Sequence, residues 1–249
     1  MRFFLGTHEP SWLGRLDIPL FVSRRRIARS HKKRFPRAKC AWALDSGGFS
    51  ELSLFGGWNT CAKEYAAQVR LFRDEIGKMQ WCAPQDWMCE PDVVKKTGLS
   101  VAEHQRRTVE NFLELRQIAP DLPFVPVLQG WTLDDYRRCV DLYDANGISL
   151  LSLDVVGLGT VCRRQRTTEG VELVESLSAM GLKIHGFGFK TTGLIRCRDL
   201  LVSADSLAWS IEARHQPPMD GCSHKTCANC IRFAVDWRDR LFRRVGEMQ

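Results

Sequence analysis

The chain has 249 residues, of which 44% are hydrophobic and 26% charged, with a net charge of +7. That length can bury a full core without disulfide staples, and those proportions exclude a disordered or fibrous chain. Seven of its ten cysteines are scattered along the sequence, which favours reduced thiols in a cytosol over a secreted disulfide framework.

In chain order, the apolar run Met1–Leu5 is too short for a signal peptide, and no later run reaches the ~20 residues of a membrane span. Strand-length apolar runs then recur at Phe3–Gly6, Pro19–Val22, Ala41–Leu44, Met79–Ala83, Phe124–Leu128, Leu150–Val155, Ile184–Phe189 and Leu200–Ala204. Helical patterns separate them at Glu64–Ile76, Val101–Ile118, Leu133–Ala145, Thr168–Met180 and Thr192–Asp199, and a terminal helix is expected around Arg238–Arg244. Gly147 and Gly181 are placed to end two of these helices. Eight strands alternating with helices predict an α/β fold, a (β/α)8 TIM-like barrel over 1–214, with 215–249 as a zinc-binding segment and terminal helix. Residues 24–39 interrupt the march in place of a clean helix. An open doubly wound sheet is disfavoured, because no Gly-rich phosphate fingerprint follows the first strand.

In such barrels the reacting groups stand where strands end and loops begin. Those ends here are His8, Asp45 with Ser46, Gly47 and Gly48, Gln85-Asp86, Gln129-Gly130, Asp154, Gly186–Gly188 and Asp205-Ser206. Four carboxylates therefore converge on one mouth, close enough for some to keep a proton near neutrality. Asp45 with two glycines behind it lets backbone N–H groups approach a planar ligand, and it equally suits a helix cap. Asp86 beside Trp87 suits a base edge with a ring on its face, and equally a capping Asp with a core Trp. The Gln129 carboxamide can donate and accept at once.

Nine basic residues and no acid occupy 24–39, among them Arg24, Arg25, Arg26, Lys32 and Lys33. Without them the rest would be slightly acidic, so the charge is placed for a polyphosphate partner or a solvated basic face. A second, weaker basic cluster is Arg163-Arg164-Gln165-Arg166. Near the C-terminus, Cys222, His224, Cys227 and Cys230 follow the spacing C-x-H-x-x-C-x-x-C, four ligands for a closed structural zinc site. His215 is an alternative to His224.

Taken together, Asp45-Ser-Gly-Gly-Phe49, Gln129-Gly130 and the C-terminal Cys-rich cluster resemble the tRNA-guanine transglycosylase superfamily. The longer strings Leu5–Leu13, Ala83–Pro91, His185–Lys190 and Ser203–Ser210 are similar to its DpdA-type branch, the DNA 7-deazaguanine transglycosylases of phages and bacteria. The resemblance runs from the first strand to the Cys/His cluster. It implies base exchange at a glycosidic bond: an aspartate attacks C1′, guanine leaves, and a preQ0-like 7-deazaguanine displaces the enzyme.

Carried over by motif, Asp45 matches the general acid/base. Asp86, Gln129 and Gly130 match the readers of the purine edge, and the segment near Asp154 and Gly157 matches the backbone bordering the base. The family's nucleophile motif has two aspartates spaced three apart, and this chain has one. Matching Asp205 to the second makes it the nucleophile and sets Arg214 where the family has an arginine. Matching it to the first would put Ala208 in the nucleophile's place and leave a silent nucleic-acid-binding barrel. The expected partners are DNA, with tRNA as the alternative, and a free 7-deazaguanine base. The length, short for a tRNA enzyme and without an RNA-binding appendage, favours DNA. No membrane partner is expected, a homodimer fits the family's habit, and the expected location is the cytoplasm of a bacterial cell or phage-infected host.

Overall fold

The computed structural model describes residues 1–29, 34–162, 164 and 167–246. Among these residues, eight parallel strands form one sheet: β1 Arg2–Thr7, β2 Leu20–Ser23, β3 Trp42–Asp45, β4 Met79–Cys82, β5 Val127–Leu128, β6 Val156–Leu158, β7 Ile184–Gly186 and β8 Ser203–Ser206. The described residues also form ten α-helices, between and after the strands: α1 Arg24–Ala28, α2 Gly48–Phe55, α3 Ala62–Ile76, α4 Pro91–Thr97, α5 Val101–Ile118, α6 Leu133–Ala145, α7 Thr168–Ala179, α8 Thr191–Cys197, α9 Ala208–Glu212 and α10 Ile231–Val245. The strand order is β4-β3-β2-β1-β8-β7-β6-β5. Between the two outermost strands only the parallel bridge Cys82–Phe124 forms, flanked by Cys82 N–H to Pro123 O at 3.0 Å and Val125 N–H to Cys82 O at 3.1 Å. The predicted α/β class holds. The sheet is strongly curled, and β4 and β5 do not themselves pair.

Both faces of the sheet are buried, which is why its strands read as continuous apolar runs rather than alternating ones. Phe3 faces the helices and meets Trp237 and Phe242 of α10 at 6.4 and 5.9 Å. Phe4, one residue on, points the opposite way and meets Trp81 of β4 at 5.8 Å and His185 of β7 at 6.0 Å. Phe4, Phe21, Ala43 and Trp81 form this inner cluster, with Val125, Val155 and Phe187 against it. Rings from distant strands meet there because the sheet curls. α10 buries Phe233, Ala234, Trp237, Leu241 and Val245 along one face, at the spacing of an amphipathic helix.

Three expectations need correction. Leu150–Val155 is not a strand: Leu150–Ser152 is a 3-10 turn and the strand is Val156–Leu158. The glycines that weaken this strand in the sequence are required by packing, because a Cβ on Gly157 would lie 2.6 Å from the Phe187 ring. The last strand begins at Ser203, not Leu200, so Asp205 lies inside β8 rather than beyond it. The basic stretch opens with a helix, α1, whose first residue Arg24 is buried; Lys32 and Lys33 lie outside the described residues. No described helix is long and apolar enough to cross a membrane.

Candidate active site

The C-terminal strand ends open onto a cavity of about 470 Å³, lined among others by Asp45, Asp86, Gln129, Gly159, Thr160 and Asp205. The sheet registers explain the gathering: Ser23 lies beside Asp45 across β2 and β3, and Asp205 beside Phe4 across β8 and β1. Asp45 thus shares the inner side with Ala43 two residues back, and Asp205 shares it with Phe4.

Asp205 is held from below. Its Oδ1 accepts the Gly188 N–H at 2.9 Å and faces His185 Nε2 at 3.4 Å, the outer limit of a hydrogen bond. Both contacts fall on Oδ1, so Oδ2 is the oxygen left to the cavity. His185 is fully buried, its Nδ1 lies 2.8 Å from Ser203 Oγ, and rings of Trp81 and Phe187 stand 4.6 and 4.8 Å from its own. Burial lowers its pKa against the pull of Asp205, so it stays neutral.

Asp45 has a different environment. Burial raises its pKa, and the Asp205 charge pushes the same way; the Gly47 N–H and Ser23 hydroxyl oppose them. Gly47 itself has φ +84 and caps the N-terminus of α2, and a Cβ there would strike Arg25 Cγ at 2.9 Å. Only glycine suits that turn.

Asp86 anchors a chain of hydrogen bonds across the cavity wall. Ser46 Oγ donates to Oδ1 at 2.9 Å and Gln129 Nε2 to Oδ2 at 2.6 Å. Thr160 Oγ1 donates to Gln129 Oε1 at 2.7 Å and accepts the Cys89 N–H at 2.9 Å. Burial raises the Asp86 pKa to about 6, against the Ser46 and Gln129 hydrogen bonds. Thr160 sits at φ +58, a strained position for a β-branched residue that costs about 1–3 kcal/mol. That strain aims its hydroxyl at Gln129. Gly159 completes the wall, since a Cβ there would overlap Gln129 Nε2 at 2.3 Å.

The sequence-predicted residues divide cleanly. Asp45, Gly48, Asp86, Gln129 and Asp205 line the cavity, and Ser46 and Gly47 support it. Gly130 is not on the cavity wall; it allows close approach to α6, a Cβ there lying 2.8 Å from Asp135 Cβ. Gly157 packs under Phe187, and Gly159 takes the place expected of it. Asp154 precedes β6, so it lies at the wrong end of the strand, exposed and paired with Lys183 at 2.8 Å. Trp87 does not line the cavity either; Arg107 stacks on its ring at 4.6 Å.

Arg24 is a further correction. It is buried, pairs with Glu51 at 2.7 Å and bonds Thr60 and Gln68, so it braces the fold. Arg25, Arg26 and Arg29 do line the mouth, although Arg25 is largely covered and pairs with the same Glu51 at 2.5 Å. Arg26 and Arg214 lie close enough to His8 that, after burial, their charges lower its pKa. Ala208 does not line the cavity, unlike Asp205.

Residues that strand-end reasoning missed are Thr160, Gly159, Glu90 and His185. Glu90 is buried on the cavity wall with Oε2 3.3 Å from Thr160 Oγ1. Glu90 and His185 stand inside strings already set apart by resemblance, which was the available signal.

The Cys222, His224, Cys227 and Cys230 ligand atoms all lie within 4.8 Å of one another. Cys222 Sγ is 4.0 Å from both Cys227 and Cys230 Sγ, and His224 Nε2 is 3.1 Å from Cys227 Sγ. Tetrahedral thiolates around one zinc stand about 3.8 Å apart, so the set fits a metal ion. His215 is not part of it. The Met219 N–H and the Arg232 guanidinium point at Cys227 and Cys222 sulfurs, as outer partners of thiolate ligands do. Thr226 and Ser210 tie the cluster to the α9 region through Ala213 O at 3.0 Å and Ala228 O at 2.8 Å.

Fold and site define a parallel α/β protein with carboxylates gathered in one pocket at its strand ends. The chain belongs to the DpdA family, described as DeoxyPurine in DNA protein A, whose model matches residues 1–249. That is the family of DNA deoxypurine and 7-deazaguanine transglycosylases, related to tRNA-guanine transglycosylase. No curated protein matches the chain. Among solved structures, N2152 from Neocallimastix frontalis is similar over 81% of this chain and 59% of that one, at 12% identity and a TM-score of 0.46. The chain thus spans less than two thirds of that structure's length, and a likeness this low leaves the functional reading to family and site.

Proposed function

We propose that this protein exchanges guanine in DNA for a 7-deazaguanine base of the preQ0 kind, through a covalent aspartyl-nucleotide ester. The observation that carries the reading is the contrast between Asp45 and Asp205 on one cavity. Asp45, half-buried on the cavity, has a pKa raised by burial, which favours its protonated form; Asp205 offers one oxygen while the Gly188 N–H bonds the other and His185 Nε2 stands 3.4 Å from it. Two carboxylates in unlike environments divide acid and nucleophile roles.

Asp205 Oδ2 attacks C1′ of a flipped deoxyguanosine, and the C1′–N9 bond breaks with its electron pair leaving on guanine. Asp45 gives its proton to the departing purine. The incoming base then loses its N9 proton to the Asp45 carboxylate, and N9 attacks C1′. The ester bond breaks, Asp205 recovers its electron pair, and two inversions retain configuration. Asp86 and Gln129 hold the purine edge in both halves. The curled sheet acts as a (β/α)8 barrel, Arg25, Arg26 and Arg214 contact the DNA backbone, and the Cys/His cluster holds a structural zinc.

The edge reading has a pH consequence. A guanine edge offers two N–H donors, which an ionised Asp86 accepts and a protonated one meets with its own O–H. KM for the incoming base therefore rises about tenfold per pH unit below pH 6. In Asp86→Asn that slope, read from base-exchange KM between pH 5 and 7, disappears. The reading as a whole is tested by offering labelled guanine or preQ0 with DNA and tRNA side by side. Label is expected in DNA; preferential entry into tRNA would overturn the choice of substrate.

A further inference from the structure

Helix α2 stands at the rim of the cavity and exposes three large apolar side chains. Phe49 is 49% exposed, Leu54 61% and Phe55 56%. They are three of the ten exposed large hydrophobics among the described residues, and the other seven are spread over the chain. Phe49 and Leu54 reach the rim, and the same rim carries Arg25, Arg26 and Arg29. The Arg25 guanidinium lies 5.7 Å from the Phe55 ring centre, so the charged and apolar parts form one surface. Isolated exposed apolar groups are ordinary, but a group of three around a cavity mouth marks a contact surface.

The charge beside this patch selects its occupant. Arg25 is already paired with Glu51, but Arg26 and Arg29 suit phosphates, and the apolar side chains beside them suit the faces of bases. The cavity wall that binds the purine, from Ser46 to Thr160, is buried. A guanine reaches it only by leaving its stack, which leaves a gap in the duplex. Apolar side chains that enter such gaps offset part of the unstacking cost.

Resting on the base-exchange reading, we infer that Leu54 and Phe55 at the end of α2 form an apolar wedge that fills the stack of duplex DNA behind the extruded nucleotide. Arg26 and Arg29 hold the flanking phosphates, while Arg25, paired with Glu51, braces Phe55. Both wedge residues are exposed, so their replacement leaves the core untouched. Gly56, with φ +70, ends the helix directly behind them and fixes the tip.

The test compares wild type with Leu54→Ser/Phe55→Ser on a duplex and on its single strand. Because a single strand needs no wedge, the duplex-to-single-strand rate ratio is expected to fall at least fivefold; a smaller fall overturns the wedge. Fluorescence of 2-aminopurine at the target position, which rises on extrusion, is expected to rise with wild type and not with the variant. An equal rise with both overturns it. This binding readout separates the two claims, since absent exchange by wild type on either DNA would sink the base-exchange reading alone. Loss of a wild-type dimer in the variant on sedimentation would reassign the patch as an interface between copies.

Discussion

Asp205→Asn lowers base exchange by on the order of 10⁴-fold or more, because the amide cannot form the ester through which the reaction passes. The replacement keeps the side chain's size and the oxygen that accepts the Gly188 N–H, so folding and DNA binding persist. Asp45→Asn is milder, on the order of 10²–10⁴-fold, because it removes proton transfer and leaves the nucleophile. The order of the two effects, measured as single-turnover release of labelled guanine, separates the roles. Equal and partial losses would mean that neither residue forms the covalent bond.

The second large effect concerns the Cys/His cluster. Structural zinc sites contribute folding energy directly, and their thiolates bind the metal in competition with protons. Cys227 and Cys230 are buried between α9 and α10, and α10 in turn covers Phe3 of β1. Loss of a metal held there would therefore loosen the helix that packs against the strand beside Asp205. Chelation, or Cys230→Ser, is expected to lower the melting temperature by on the order of 10 °C. Elemental analysis is expected to give one zinc per chain in wild type and less in the variant. A metal-free protein whose melting point ignores a chelator would contradict the structural role.

Much of this site could be read from local signals. Asp45, Asp86, Gln129 and Asp205 follow or end apolar runs and carry turn residues nearby, so strand-end reasoning reached them. The four metal ligands fall within nine residues and needed no fold at all. Where the reading failed, the deciding contact came from elsewhere in the chain. Asp154 looks like a strand end because Leu150–Val155 is the longer apolar run, while Val156–Leu158 carries a glycine that answers to Phe187, thirty residues on. Arg24 looked like part of a phosphate-binding run, yet Glu51 takes it into the core. Thr160 reaches Gln129 and Cys89 across 31 and 71 residues of sequence. His185 lies in an apolar strand, where its approach to Asp205 at 3.4 Å depends on the pairing of β7 with β8.

The most direct test of the account is to trap the covalent adduct. Wild-type protein quenched in acid during turnover with a guanine-containing oligonucleotide is expected to gain the mass of that oligonucleotide less guanine. Peptide mapping is expected to place the bond on the β8 peptide at Asp205, and Asp205→Asn to form no adduct. An adduct on Asp45, or one that persists in Asp205→Asn, would contradict the assignment of nucleophile and acid on which the mechanism rests.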